Sequence, residues 1–536
     1  MSGPHRRRGG KPPRPRRRGA PRPAPVRPVA GAKPVDRARR AAYEVLRQVH
    51  EHDAYANLVL PKLLADWSLT GRDAAFATEL CYGALRATGT LDAVLAAGSN
   101  RPLAKMDDTV RDALRLGAYQ LLYTRVPAHA AVSTTVGLVR STAGAGSASF
   151  ANAVLRRVAG ADLDGWLDRI APDAGTDPIG ALAVRYAHPK WIVRAFAAAL
   201  DAPAAATSDA AGDGGPGAAP GSDGGPGAAP GGADAPPDAE VGSAGADPGV
   251  GAAGAELRAA LAADNDRPVV HLAARPGAID AARLARRVGG EPGRYSPYAV
   301  YLPGGAPGEL PELRDGLARV QDEGSQLVAA ALAGAALDGP DAAWLDLCAG
   351  PGGKAALLGA LVAARGGRLT AVEAAEHRAE LVRAAVAGLP VTVLHADGRT
   401  VGERPELPVG GFDRVLLDAP CTGLGALRRR PEARWRRSEA DLADLVELQR
   451  ALLAAACRAV RPGGLVGYVT CSPHPAETRE QVAALLADPP VPLVAVDARP
   501  ALGADMPQLG AGPTVQLWPH RHGTDAMFLA LLRRTA

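Results

Sequence analysis

Two cysteines stand where a sequence of alternating strands and helices would place reactive groups. Cys471 closes the apolar, β-rich run "LVGYVTC", and Cys421 follows "LLDAP", so both fall at the ends of expected strands. A free cysteine is commonly a small buried hydrophobe, and that reading suits Cys348 and Cys457. Two thiols at adjacent strand ends ask for more than packing. The chemistry open to such a pair is nucleophilic: a thiolate adds to an electron-poor carbon and is later expelled. An ordinary thiol has a pKa of about 8.5, so neighbouring donors or positive charge must favour the thiolate; Lys354 and Arg428 to Arg430 are the candidates nearest in the sequence pattern.

Acidic residues end the other strands. The first strand of the series runs into "DLCAGPGGKAA", whose glycines permit a tight turn and let backbone N–H groups approach a ligand. It is not a P-loop, which would need Gly at Cys348 and Ser or Thr at Ala355, and it holds no G-x-G-x-x-G. Twenty residues after Gly353, the second strand ends in Glu373, where an acceptor for ribose hydroxyls belongs in a nucleoside-binding α/β domain. Asp397 and Asp418 follow at the ends of the third and fourth strands. A nucleoside site with no diphosphate fingerprint and several carboxylates suits S-adenosylmethionine, a sulfonium cation, better than NAD. A thiol beside a methyl donor then points to methylation of a pyrimidine carbon. C5 of cytosine becomes nucleophilic once a thiolate adds at C6, and Asp418 is placed to assist at N3.

The elements that must position these groups follow from periodicity. From residue 321 to 536, apolar strands alternate with amphipathic helices, which calls for a Rossmann-like, mostly parallel, doubly wound sheet with ligands at the strands' carboxyl ends. Residues 36–162 are helical in rhythm throughout, with Pro127 and the run "AGAGSAS" marking connections, and form an all-α domain. Residues 163–320 read as a connecting α/β subdomain. It is interrupted at 201–255 by a Gly/Ala/Pro insert that carries the repeat "DGGPGAAPG" twice and has nothing to bury, so the flanking halves should meet across it.

Charge is unevenly spread. The chain has 61 Lys and Arg against 56 Asp and Glu, net +5, but residues 1–40 hold 14 basic residues and only Asp36, a local +13 that leaves the remainder at −8. The Pro/Arg-rich tail, 1–35, is expected to be disordered and suits sequence-independent phosphate contact or simple solvation. The five cysteines are odd in number, far apart and without a C-x-x-C pair, which disfavours a disulfide framework or a zinc knuckle. No metal set is expected; His520 and His522 lack partners at ligand spacing and should be structural. No run of ~20 apolar residues and no signal-peptide core is present, so a cytoplasmic protein with reduced thiols and no membrane contact is expected.

Two resemblances sharpen this. "LRLGAYQLLYTRVPAHAAVSTTVGLV" followed by "SFANAVLRRV", with Phe150, Asn152, Leu155 and Arg156, resembles the RNA-binding NusB-type helical domain. "VQDEGSQLVA", "CAGPGGK", "HADGR", "LLDAPCTGLGALRRRPE", "LQRALLAAACRAVRPGGLVGYVTCS" and "WPHRHGTDAMFLALL" resemble the RNA cytosine-5 methyltransferases. Together they match the Sun/Fmu (RsmB-like) bacterial enzymes acting on 16S rRNA. The resemblance implies S-adenosyl-L-methionine as cofactor and 16S rRNA as partner. It makes Cys471 the nucleophile and Cys421 the aid to product release, with cofactor contacts from Cys348, Ala349, Gly350, Pro351, Gly352, Gly353, Lys354, Glu373, Asp397 and Asp418. In DNA cytosine methyltransferases the P-C cysteine is the nucleophile, so exchanged thiol roles stay open. The basic stretch "RRRPEARWRR" beside the P-C motif is expected to contact RNA through Arg428, Arg429 and Arg430. Departures at Thr478, Ala526, Met527 and "HLAARPG" bear on the target rather than on the core chemistry. The rivals are the same chemistry on tRNA or another rRNA site, and a non-catalytic RNA-binding, antitermination-like factor.

Overall fold

The computed structural model describes residues 36–200, 252–305, 307–503 and 506–536. The basic tail and nearly all of the insert lie outside the described residues. The helical domain begins where Asp36 accepts a hydrogen bond from the Arg39 amide at 3.0 Å and so caps Arg37–His52. Gly71–Arg86, Asp108–Tyr123 and Ala128–Val158 follow the apolar periodicity, and their leucines, valines and alanines close one core around Leu46, Leu80, Leu91, Leu114 and Leu155. The Gly/Ser run is less of a connection than its composition suggests. Helical structure continues through it to Val158, broken at Gly144, whose φ of 87° lies in the region only glycine enters freely.

Next come three short helices, Leu163–Ile170, Pro178–Arg185 and Lys190–Leu200, and then Ala252–Ala263, which takes in the last four residues assigned to the insert. Ile192 and Phe196 before the insert pack with Leu257 and Leu261 after it. A small antiparallel sheet follows, formed by β1 (Val270–Ala274), β2 (Glu291–Pro292), β3 (Ala299–Leu302) and β4 (Ala318–Val320), in the order β2-β3-β1-β4.

The large sheet is built from β5 (Ala343–Asp346), β6 (Arg368–Glu373), β7 (Val391–His395), β8 (Phe412–Asp418), β9 (Val460–Thr470), β10 (Leu493–Val496), β11 (Val515–Gln516) and β12 (Phe528–Arg534). Its order is β10-β12-β9-β8-β5-β6-β7; β5 to β9 run parallel, β12 is antiparallel to β9, and β11 pairs with β12. Alternate residues serve opposite cores: Trp344, Leu416, Leu465 and Val469 pack on one face, and Leu345, Val415, Leu417, Val466 and Tyr468 on the other. Chain order reverses around β5, so the crevice at its carboxyl end is where a doubly wound sheet binds ligands. No helix among the described residues is long and apolar enough to cross a membrane.

A short segment after the P-C motif joins the two large domains. The Trp435 indole donates to the Leu85 carbonyl at 3.0 Å and lies so close to Gly89 that a Cβ there would come within 2.2 Å of the ring. Arg434 is wholly buried and donates to the carbonyls of Ala187 (3.0 Å) and Asp264 (3.1 Å) and to the Asn265 side chain (2.9 Å); burial pushes its guanidinium down to about 9. Arg436 donates to Val49 and Ala54, and Glu432 accepts from the Ala56 amide. Gly89→Ala should therefore destabilise the junction by about 1–3 kcal/mol through overpacking. Gly137→Ala, with no atom within 4 Å of the new methyl, should be neutral or slightly stabilising. Thermal melting of the two variants checks this; equal melting temperatures would mean that Trp435 does not seat against Gly89.

Candidate active site

Parallel pairing of β8 with β9 sets Asp418 opposite Val469. The chain then turns from each strand within two or three residues, bringing the Cys421 and Cys471 sulfurs to 3.4 Å from each other. Both residues are half-buried. The loop that carries Cys471 is pinned to the P-C loop by a hydrogen bond from the Gly425 amide to the Cys471 carbonyl, 2.8 Å. Beside them, Lys354 in the first turn of the helix Gly353–Ala363 donates from Nζ to Asp418 Oδ2 at 2.9 Å.

The glycine loop ends in a close fit. The Gly350 amide donates to Glu373 Oε2 at 3.1 Å, and a Cβ on Gly350 would stand 2.2 Å from that oxygen. Glu373 also accepts from the Ala375 amide at 3.0 Å and pairs with Arg378 at 3.3 Å, which fixes the end of β6 to the loop after β5. Asp397 caps its own short turn and is held by Arg399 at 2.6 Å, which keeps the carboxyl below its ordinary range. It sits at the end of β7 as expected, with its charge already partnered.

The two sulfurs differ in surroundings. At Cys471 the adjoining Cys421 thiol favours the anion most, burial and Asp418 oppose it, and Lys354 and Arg430 add their support; the net direction is downward. At Cys421 the partner sulfur, burial, Glu477 and Asp418 all push upward. Lys354 stays protonated despite burial because Asp418, Cys471 and Asp346 surround it. Cys348 is pushed well up by burial and by the neighbouring carboxylates, and Cys457 is a buried core residue pushed up to about 12. Both His522 nitrogens are engaged, one by the Trp518 amide at 2.9 Å and one by the Pro507 carbonyl at 2.9 Å.

The expected RNA triplet divides. Arg429 forms ion pairs with Asp322 (2.7 Å) and Asp525 (3.0 Å), and Arg428 is buried with Nη2 on the Gly523 carbonyl at 2.9 Å. These two guanidiniums pair with buried carboxylates and tie the lead-in and C-terminal loops to the P-C loop, so their charge is already partnered within the protein. Arg430 alone of the three is exposed, stacked over Tyr55.

Two carboxylates were not singled out in sequence. Glu477, six residues past Cys471, is completely buried behind the P-C loop; nothing local distinguishes it from a surface glutamate. Asp346 ends β5, also completely buried, and neither of its oxygens has a hydrogen-bond partner among the described residues. Its position within "WLDL" hides it inside an apolar strand. Burial, with Asp418 and Glu373 nearby, pushes it up to about 7 against the pull of Lys354. A cationic nucleoside ligand fits these strand ends. The glycine loop offers backbone, Glu373 and Asp397 stand at the ends of β6 and β7, and Asp346 is a buried carboxylate in want of a positive partner.

A carboxyl group whose folded pKa lies above its unfolded value costs nothing at low pH, and destabilises progressively as pH rises from about 4 to about 7. Asp346→Asn should thus be more stable than the parent protein at pH 8 without ligand, by up to about 4 kcal/mol, the gap closing toward pH 4. Denaturation of both proteins at pH 8 and pH 5 tests this; a gap independent of pH would show that folding does not raise the Asp346 carboxyl above its unfolded value.

Comparison with known proteins agrees with this geometry. Residues 336–533 match the family described as 16S rRNA methyltransferase RsmB/F, and residues 36–160 match the NusB family. A putative methyltransferase of Mycobacterium tuberculosis is 54% identical over 502 residues, covering 94% of this chain and 97% of the relative. The ribosomal RNA small subunit methyltransferase B of Sodalis glossinidius is 32% identical, covering 84% and 89%. The solved structure of PH0851 shares the fold with a TM-score of 0.71 at 20% identity, over 94% of this chain and 99% of that one. The chain, with its thiol pair, strand-end carboxylates and helical N-terminal domain, belongs to the RsmB/F family of S-adenosylmethionine-dependent RNA methyltransferases.

Proposed function

We propose that this protein methylates C5 of a cytidine in 16S rRNA, in the cytoplasm, through a transient bond between Cys471 and C6 of the base. The observation that carries the reading is the sulfur pair, 3.4 Å apart, flanked by the Lys354–Asp418 ion pair at the carboxyl ends of β8 and β9. S-adenosylmethionine supplies an electrophilic methyl group. Residues 348–354, Glu373, Asp397 and Asp418 hold that cofactor in this reading, with Asp346 as a further anionic contact.

The chain's own residues do the rest. Cys471, favoured as the anion first by the adjoining Cys421 thiol and then by Lys354 and Arg430, adds as thiolate to C6 and makes C5 nucleophilic. Asp418, fixed by Lys354, serves as the hydrogen-bonding partner at N3. Once C5 carries the methyl group, its proton passes to solvent water, the electrons of that C–H bond restore the C5–C6 double bond, and the C6–sulfur bond breaks to return Cys471 as thiolate; Cys421 assists release of the product in this reading. A base inside a duplex is out of reach of these loops, so the target is an unpaired or extruded nucleotide. Arg430 and the helical domain are the RNA contacts in this account.

Transfer of labelled methyl to protein-free 16S rRNA and to assembled small subunits, mapped at nucleotide resolution, tests the proposal. The intact protein should yield a 5-methylcytosine in one of them, and Cys471→Ala should lose at least about three orders of magnitude in rate while still binding the cofactor. Methylation of tRNA alone would move the substrate, and cofactor binding without transfer to any RNA would favour the non-catalytic alternative.

A further inference from the structure

Behind the two thiols lies a carboxylate that the proposed chemistry does not use. Glu477 is completely buried and makes no ion pair among the described residues. Its two oxygens accept from the Thr422 amide at 2.7 Å, from the Thr422 hydroxyl, and from Gln449 Nε2 at 3.1 Å. Gln449 also donates to the Pro420 carbonyl at 2.8 Å, so Cys421 is held on both sides, by Gln449 at Pro420 and by Glu477 at Thr422. The Thr422 hydroxyl reaches Ser472, next to Cys471, at 3.2 Å, and the Tyr468 hydroxyl on β9 donates to the Glu477 carbonyl at 2.8 Å. The Glu477 side chain thereby fixes the P-C loop, while its backbone carbonyl and the Thr422 hydroxyl tie that loop to β9 and to Ser472.

A glutamine would fill the same space, yet it has a single acceptor oxygen for three donors and would turn an NH2 group toward one of them. A buried charge held only by neutral donors is costly, so its presence here implies work for the charge itself. The groups around the sulfurs are arranged accordingly. Lys354 from the helix after β5 and Arg430 from the P-C loop favour the anion at Cys471; Asp418 at the end of β8 opposes the anion at both sulfurs; Glu477 acts against it at Cys421.

We propose that Glu477 is the positioning residue that sets the two thiols apart: it locks the P-C loop and puts negative charge behind Cys421, leaving Cys471 as the sulfur turned to the cations. The inference deepens the proposed function by naming what assigns Cys471 the nucleophilic role, and it rests on that reading. Its test needs no RNA, so the two stand or fall separately.

The experiment is alkylation of the full chain by iodoacetamide between pH 6 and 9, without RNA or cofactor. Initial rates at each cysteine are read by peptide mass spectrometry, with buried Cys81 and Cys457 as internal references. In the parent protein Cys471 should react at least about tenfold faster than Cys421 at neutral pH. Glu477→Gln should bring the Cys421 profile down toward that of Cys471 by about one pH unit, whereas Glu477→Asp, which keeps the charge, should leave the two separated. Faster reaction at Cys421 in the parent protein overturns the proposal whether or not the variants fold. So does an unchanged spacing in Glu477→Gln, or a Glu477→Asp protein that behaves like it.

Discussion

The arrangement of the active site depends on the parallel pairing of β8 with β9. Because the two strands run the same way with Asp418 beside Val469, their carboxyl ends leave the sheet together, and Asp418, Cys421 and Cys471 arrive at one edge without any long loop having to find another. Parallel strands need crossovers, and the crossover here is the helix Ala440–Ala459, whose Gln449 reaches back to the P-C loop it has just left. The same pairing thus delivers the reactive groups and the side chain that steadies them. Displacing β9 by one residue would exchange its two faces and remove Cys471 from Cys421.

Charge completes what register begins. The site holds more carboxylate than cation: Asp418 and Asp346 act on Lys354, Glu373 lies by the glycine loop and Glu477 behind Cys421, with Arg378 and Arg430 at the margin. Such an excess suits a positively charged ligand, and Lys354, the cation nearest Asp418, adds to the support that the Cys421 thiol gives an anion at Cys471. Farther out, Arg429 with Asp322 and Asp525 closes the loops around the site, while Arg434 and Trp435 continue the P-C loop into the helical domain. The helical domain and the thiol loop are consequently parts of one continuous packing arrangement.

Much of this was legible in the sequence. The strands β5 to β9 and β12 announce themselves as apolar runs between amphipathic helices, and the thiols and strand-end acids are conspicuous by type and spacing. What sequence could not convey was partnership. "RRRPEARWRR" looks like a basic surface, yet Arg428 and Arg434 are buried and Arg429 is half-buried, because acceptors distant in the chain, Asp322, Asp525, Ala187 and Asp264, converge on them. Glu477 and Asp346 were missed for the same reason, since a lone acidic residue carries no local mark of burial. The short β10, half-exposed at the sheet edge, lacks the apolar density that marks a central strand.

The central claim is that Cys471, and not Cys421, bonds to the target base. The most direct measurement is to incubate the protein and its cofactor with 16S rRNA transcribed with 5-fluorocytidine in place of cytidine. Fluorine cannot depart from C5 as the proton does, so the adduct persists and the RNA-linked peptide can be sequenced by mass spectrometry. The account predicts a link through Cys471, formed also in Cys421→Ser. A link through Cys421, or methyl transfer to unmodified RNA without any adduct on the fluorinated one, would contradict it.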